Sequence, residues 1–302
     1  NLSSAWADTR FCNEAELEKQ VAEGRVRALF SAVPHGAAAA RIDALLKIAG
    51  QAGAPLTVVD ASADFRFRAA ADYERVYGHA HPCPERLAQF ASALPEHLAG
   101  CPAPHVAHPG CFVTSVLLGI VPLLKAELVA PEFHVSAITG STGVGRKLGE
   151  TTHHPERHGN MFAYQPLVHR HRPEIEQLAS EAAAPCKVHF VPHSGAWARG
   201  IHATIHGRLA PGAELAALKE ALTGAYAGSP FVELIDTPPR LKDVTGSNRA
   251  RLAVAADAEA FVVMVVIDNL LKGAAGGALQ WMNRLLSLPE DAGLRLPGAG
   301  WI

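Results

Sequence analysis

Two hydrophobic patterns divide the chain. Near its start the apolar residues gather in short runs, 26–33 and 56–59, and between them, at 37–48, they recur at helical spacing. That order predicts strand, helix, strand, with Pro34-His35-Gly36 as the first turn and Asp60 closing the second strand. Strands that stay apolar rather than alternating suit a parallel sheet covered on both faces. An earlier helix is predicted at 13–22, with Asn13 as its cap and Glu14 and Glu16 in its first turn. The longest apolar run, 111–124, follows a short strand closed by Val106 and Ala107 and predicts a buried helix. After a strand at 133–138 the pattern changes. Segments 187–191 and 201–209 alternate: Ile201, Ala203 and Ile205 share one face and His202, Thr204 and His206 the other, as in a half-exposed antiparallel sheet. Further strands are expected at 231–235, 251–255 and 261–267, the last two joined as a hairpin through 256–259. Helices are expected at 173–184 and 214–226, and a last one, opened by a loop from Asn269, runs to 286. The Pro- and His-rich stretch 73–104 is placed on the surface, and the glycine-rich end of the chain reads as a surface tail.

With 302 residues, 49% of them hydrophobic, the chain can bury a substantial core in one large domain or two. Lys and Arg number 27 against 29 Asp and Glu, with both signs dispersed, which points away from nucleic acid and acidic membrane surfaces. The run 111–124 is too short to span a bilayer and contains Pro122, and no signal peptide is visible. Asn1 stands where an initiator methionine is expected, so a missing upstream segment is anticipated. The five cysteines (Cys12, Cys83, Cys101, Cys111, Cys186) are odd in number, scattered and free of C-x-x-C spacing, which argues against a disulfide framework or a zinc site and fits a reducing cytoplasm.

The candidate chemistry centres on His108-Pro109-Gly110-Cys111, a sharp turn that sets one thiol at the start of the buried helix. Unpaired N–H groups and the helix dipole there favour a thiolate, the nucleophilic form; the competing reading is a small core cysteine. His169-Arg170-His171 holds the strongest base candidates; the competing reading is a solvated polar turn before a helix, which the segment alone favours. If that segment is extended, both histidines share one face and Arg170 takes the other, while Glu174 and Glu176 are placed to orient a ring or hold a substrate amide. The loop 140–145 reads equally as a strand-ending turn or as close backbone approach to a cofactor phosphate, helped by Arg146 and Lys147. Arg66, on the Asp64-Phe65-Arg66 loop, Arg146 and Arg199 are candidate anion binders, each reading equally as an ordinary surface arginine. His153-His154-Pro155-Glu156-Arg157-His158 matches no standard metal spacing, and Pro155 disfavours a continuous helix between His154 and His158, so no metal is expected.

Taken together these segments resemble the N-acetyl-gamma-glutamyl-phosphate reductase family, related to aspartate-semialdehyde dehydrogenase. The landmarks run through the chain: Val33-Pro34-His35-Gly36, Asp60-Ala61-Ser62-Ala63-Asp64-Phe65-Arg66, Pro109-Gly110-Cys111, the 143–147 loop, His169-Arg170-His171 with Pro173-Glu174-Ile175, Pro192-His193, Arg199-Gly200-Ile201, and 268–276. The resemblance implies an α/β fold: a Rossmann-like parallel-sheet NADP-binding domain at 1–110, completed by 271–302, plus an α+β catalytic and oligomerisation domain at 111–270 with a mainly antiparallel sheet. It implies Cys111 as nucleophile and His169 as acid/base. Arg66, His171, Glu174 and Arg199 would bind substrate, and Pro34, His35, Ser141, Gly143, Gly145 and Asn269 would bind NADP. It further implies a homodimer or homotetramer.

Three positions depart from the family pattern. His108 replaces the usual asparagine, Phe112 the usual tyrosine, and Trp197 a common methionine. The family's first strand and its G-x-x-G-x-x-G phosphate loop are not found in these 302 residues, and a missing N-terminal segment is the expected reason, since a sheet lacking a central strand leaves unpaired edges. The activity implied is NADPH-dependent reduction of N-acetyl-gamma-glutamyl phosphate to the 5-semialdehyde through a cysteine thioester, in arginine biosynthesis, with phosphate departing near Arg199. N-acetyl-aminoadipyl-phosphate reductase, aspartate-semialdehyde dehydrogenase and an inactive subunit of the same fold are the alternatives.

Overall fold

In the computed structural model, which describes residues 9–145 and 148–298, the short apolar runs form one parallel sheet and the alternating segments a second, mixed one. The chain opens with α1 (Glu14–Ala22), capped by the Asn13 side chain accepting from Glu16 N–H at 2.9 Å, as the sequence predicts. Then come β1 (Ala28–Ser31), α2 (Ala38–Ala52), β2 (Thr57–Asp60), α3 (Ala70–Tyr77), β3 (Phe90–Ala91) and β4 (His105–Ala107). All four strands are parallel in the order β1-β2-β4-β3, with Phe30 opposite Val59 and Val59 opposite Val106.

Helix α4 (Cys111–Lys125) leads into β5 (Val129–Thr139), the short α5 (His154–Arg157), β6 (Phe162–Ala163), α6 (His171–Ala182), β7 (Lys187–Ser194), β8 (Ile201–Leu209), α7 (Leu215–Tyr226) and β9 (Val232–Leu234). The hairpin β10 (Ala250–Ala256) and β11 (Ala260–Ile267) follows, then a π turn at Leu271–Ala275 and α8 (Gly276–Leu285). The second sheet runs β6-β7-β5-β8-β11-β10-β9; only β7 on β5 and β9 on β10 are parallel. One of its faces joins α4, α6 and α7 in the largest apolar core, where every residue from 112 to 124 is buried. A helix apolar on all sides requires such cover on all sides. The opposite face carries the exposed His134, Ser136 and His206. No helix among the described residues is long and apolar enough to cross a membrane.

The stretch 73–104 is not a surface region. Tyr73, Cys83, Leu87, Phe90 and Leu94 are buried, Phe90 stacks on Phe65 with centroids 4.0 Å apart, and Phe90–Ala91 forms an edge strand. Its elements are too short to carry a hydrophobic period, so the sequence pattern shows only their polar punctuation. The C-terminal segment also packs back: Leu294 is buried, and Asn283 donates to the Glu290 and Ala292 carbonyls. Pro155 sits in the first turn of α5, where its missing N–H costs nothing, so it starts that helix rather than breaking it.

Helix α8 turns Ala278, Trp281 and Met282 onto Val59 and Val106, the face of the parallel sheet opposite α2. A buried ion pair locks it there. Lys272 Nζ lies 2.5 Å from Glu96, with the two side chains 1% and 2% exposed, and Gln280 bonds both. Burial pushes Glu96 up, but the Lys272 charge and the hydrogen bonds from Lys272 and Gln280 outweigh it and leave its pKa below the ordinary 4.5. The pair therefore stabilises fully above the ordinary carboxyl range and loses its effect as pH falls through the lower folded value. Lys272→Met leaves Glu96 buried without a counter-charge and is expected to cost about 3–5 kcal/mol. Urea denaturation reads this directly, and adding Glu96→Leu is expected to restore part of the loss.

Candidate active site

Strand β4 delivers the chain to a buried turn. His108 N–H donates to Asp60 O at 2.8 Å, Gly110 caps α4, and Cys111 is the helix's first residue. Two glycines permit close approaches here, Gly110 to the His171 ring and Gly273 to Cys111. A Cβ on Gly110 would stand 2.5 Å from His171 Nε2, and one on Gly273 would stand 2.7 Å from Cys111 Cβ. The start of α4 thus lies between the His171 side of α6 and the π turn that precedes α8. The half-buried setting of the thiol corrects the expectation of a resting thiolate. Burial raises the Cys111 pKa above 9.0, and the Arg66 guanidinium and the Phe112 N–H offset that only in part.

His169-Arg170-His171 is a turn, not an extended segment: Arg170 has φ −56° and ψ −22°, and His171 opens α6. The two rings nevertheless meet, 4.8 Å apart, and both rest edge-on against Phe112. His171 N–H donates to His169 Nδ1 at 3.2 Å, which assigns the neutral His169 proton to Nε2. Burial, helped by Arg170, pushes His169 down to about 4; burial and the neighbouring His169, Arg66 and Arg170 push His171 well below 6.5. Both imidazoles are neutral at pH 7.

Glu174, wholly buried on α6, ties this group together. Its Oε1 accepts from Gly110 N–H at 2.8 Å, and its Oε2 lies 3.5 Å from Arg66 Nη1, while Arg66 Nη2 donates to Ala61 O at 3.0 Å. Arg199 is elsewhere engaged, 3.1 Å from Asp268. Asp268 also accepts from the N–H groups of Gly246, Leu270 and Leu271. Of the two arginines, Arg66 is the one whose charge acts on the thiol. Arg146 and Lys147 lie outside the described residues. His108 is buried against Gly277 of α8, and burial with the Arg66 and Lys272 charges pushes it down to about 3.

The expected cofactor residues fall in two places. Pro34 and His35 form the turn after β1, held by Asp64, whose carboxyl oxygens accept from Gly36 N–H at 2.7 Å and Ala39 N–H at 2.9 Å. Ser141, Gly143 and Gly145 belong to a turn in which Ser141 N–H donates to Trp197 O, Gly143 N–H to Gly140 O and Gly145 N–H to Thr142 O. Asn269 holds it in place, donating to Thr142 Oγ1 at 3.0 Å and accepting from Gly200 N–H at 2.6 Å. What fits a dinucleotide is the arrangement of strand ends. β1, β2 and β4 present their carboxyl ends, with the Pro34–His35 turn, the 61–66 loop and Cys111, on one side of a parallel sheet, where nucleotides bind.

Sequence reasoning passed over Arg170, Tyr77 and Tyr164. Tyr164 rests against His169 at 5.6 Å, and Tyr77 against His35 at 5.8 Å. Arg170 was legible as the residue between two candidate histidines, but an extended reading turned it away from them. Among the described residues no group of three or more His, Cys, Asp or Glu converges on a metal position. A cysteine at a helix start, whose neighbours Gly110 and Phe112 pack against the two imidazoles and on which the Arg66 charge acts, suits nucleophilic acyl transfer. Alkylation of Cys111 by iodoacetamide, followed by mass spectrometry across pH, is expected to show a midpoint above 9.0 in the ligand-free protein. Arg66→Gln is expected to move that midpoint further up, because the charge that favours the thiolate is lost.

Residues 111–269 match the family model for the semialdehyde dehydrogenase dimerisation domain. N-acetyl-gamma-glutamyl-phosphate reductase from Nitrosomonas eutropha is 39% identical over 281 residues, covering 90% of this chain and 79% of that protein. The proteins of the same name from Acidithiobacillus ferrooxidans and Dehalococcoides mccartyi are also 39% identical over 90% of this chain, which covers 79% and 80% of them. Among solved structures, aspartate semialdehyde dehydrogenase II from Vibrio cholerae, complexed with ASA, superposes with a TM-score of 0.63 at 16% identity, over 87% of this chain and 80% of that one. A probable aspartate-semialdehyde dehydrogenase from Pseudomonas aeruginosa gives 0.61 at 18% identity, over 87% and 80%. These structures share the fold, and the sequence identity to the reductases goes further: the chain belongs to the N-acetyl-gamma-glutamyl-phosphate reductase family.

Proposed function

We propose that this protein reduces N-acetyl-gamma-glutamyl phosphate to N-acetylglutamate 5-semialdehyde, releasing phosphate, through a thioester on Cys111. The observation that carries this reading is the placement of Cys111 at the start of α4, with His169, His171 and the Arg66–Glu174 pair around it. At rest the thiol is protonated and both imidazoles are neutral, so the nucleophile forms when substrate arrives. An anionic acyl phosphate beside a histidine favours the imidazolium and makes proton transfer from the thiol easier. His171, whose Nε2 edge faces Gly110, takes that proton. The sulfur then adds to the acyl carbon and the phosphate departs beside Arg66.

When bound, NADPH supplies the hydride that reduces the thioester, with Pro34, His35 and Ser141 flanking the cofactor and Gly143, Gly145 and Asn269 shaping that wall. His169 Nε2–H donates to the oxygen that gains charge in both tetrahedral adducts; the second collapses as its carbon–sulfur bond breaks, releasing the semialdehyde, and the sulfur regains its proton from His171. The family resemblance gives His169 the base role as well. Its Nδ1, however, already accepts from His171 N–H, and a neutral ring with its proton on Nε2 has no free lone pair for the thiol. Splitting the two roles between the histidines follows from that contact. Residues 1–110 with 271–302 carry the cofactor, 111–270 carry the chemistry, and the exposed face of the second sheet serves a homo-oligomer. Five free thiols suit a cytoplasmic setting.

NADP⁺ reduction with phosphate and N-acetylglutamate semialdehyde, set against the N-acetylaminoadipate and aspartate semialdehydes, tests the reading. The glutamate compound is expected to give the highest kcat/KM, and Cys111→Ser to abolish turnover while NADP⁺ binding by fluorescence is retained. Equal rates with the aminoadipate homologue would overturn the substrate assignment. For the histidines, His171→Asn is expected to slow thioester formation in single-turnover burst experiments. His169→Asn is expected to lower the hydride-transfer step as well, by about 10²–10⁴-fold. The opposite pattern would return the base role to His169.

A further inference from the structure

Beside His169 lies a groove of about 660 Å³, large enough for a small-molecule ligand. Tyr77, Leu167, Val168, His169, Arg170 and Arg172 are among the residues that line it. Its apolar wall is held in an unusual conformation. Gln165 and Leu167 both have positive φ, 44° and 64°, which non-glycine residues adopt only when their surroundings impose it. Leu167 N–H donates to Phe190 O at 2.9 Å, and Arg172 reaches Leu167 O at 3.2 Å, so the backbone is pinned from two sides. The result is an apolar pair turned outward next to a site histidine, with Leu167 47% and Val168 78% exposed.

The cations around this groove differ in one respect. Arg75 is paired with Asp72, and Arg172 with Glu176. Deeper in, Arg66 is held by Glu174 and Ala61 O, and Arg199 by Asp268. The Arg170 guanidinium, at the exposed rim, makes no ion pair or hydrogen bond among the described residues. Its charge nonetheless reaches Cys111, His169, His171 and Tyr77. An incoming anion meets Arg170 without displacing an internal partner. The proposed substrate carries two anionic groups, the phosphoryl at the reacting end and a carboxylate at the far end of a short chain. With the phosphoryl beside Arg66, the carboxylate is left to the rim.

We infer that Arg170 receives the α-carboxylate of the substrate in the groove between Tyr77 and Leu167, and so selects a substrate that carries this carboxylate. This rests on the proposed function. A guanidinium grips a carboxylate through two parallel hydrogen bonds, which lysine reproduces in charge but not in shape.

The test is steady-state kinetics in the NADP⁺-reducing direction with N-acetylglutamate semialdehyde and with its α-carboxamide, for wild type, Arg170→Gln and Arg170→Lys. Arg170→Gln is expected to raise the KM for the semialdehyde about tenfold to a hundredfold, with the KM for phosphate unchanged. The wild type is expected to lose a similar factor on the carboxamide, and Arg170→Gln to lose little between the two compounds. Arg170→Lys should fall in between. An unchanged KM for the semialdehyde overturns the inference, as does an equal loss on both compounds, or a rise confined to phosphate. A second measurement needs no turnover, and so separates this inference from the proposed activity: protection of Cys111 from iodoacetamide by N-acetylglutamate. Protection in the wild type that Arg170→Gln abolishes supports the role; equal protection in both, or none in either, overturns it.

Discussion

The buried Glu174 carboxyl group is the contact on which the site depends. It accepts the Gly110 N–H, approaches Arg66, and rises from the first turns of α6, the helix that His171 begins. Three segments far apart in the chain are thereby set relative to one another: the loop after β2, the turn before Cys111, and the histidine turn. The Gly110 N–H is one of the donors that a helix start leaves unpaired, and burying it without a partner would be costly. Meeting that need with a carboxyl group rather than a carbonyl also gives Arg66 a reason to lie near the thiol, and the positive charge there offsets part of the burial that raises the Cys111 pKa.

This arrangement leaves a resting site with no preformed ion pair between sulfur and imidazole. The thiol is raised, the two histidines are depressed, and all three shifts have burial as their largest cause. Enclosure of this kind disfavours charge until a ligand brings charge of its own. A substrate with an anionic phosphoryl group is suited to that environment, because it pairs with Arg66 and favours a protonated ring at the same time. The groove at Arg170 continues the same logic outward, where one cation has no ion-pair partner among the described residues.

The second structural lock acts at a distance from the thiol. Lys272 and Gln280 meet Glu96 under α8, and Gly273, next to Lys272 in the same π turn, abuts Cys111. Helix α8 covers the parallel sheet while its leading turn closes over the α4 start, so the packing of the C-terminal helix and the position of the reactive residue are a single geometric problem. Asp268 and Asn269 serve the same junction. They collect the N–H groups of Gly246, Leu270, Leu271 and Gly200, and so fix where β11 ends and the π turn begins.

Hydrophobic period alone determined much of the architecture. Short apolar runs meant parallel strands, alternation at 201–209 meant a sheet with one exposed face, and the run at 111–124 meant a helix buried all round. The Asn13 cap and the hairpin at 256–259 were equally local and equally legible. The motif residues Cys111, His169, His171, Glu174 and Arg66 could be named from the chain, and they do come together. What the chain alone could not decide were quantities set by neighbours distant in sequence. The helix start suggested a thiolate, but burial by the α6 and π-turn segments raises the thiol instead. Arg66 and Arg199 looked alike until Glu174 proved to hold the first within reach of the thiol and Asp268 the second. Arg170 seemed to face away from the histidines because the segment was read as a strand; a turn there brings it to the rim of their groove. The region 73–104 seemed to belong to the surface because its short elements carry no clear period, although Phe90 stacks on Phe65 in the core. In each case the deciding term was burial or an ion pair formed across many residues of chain, and that is decided only when tertiary packing brings the partners together.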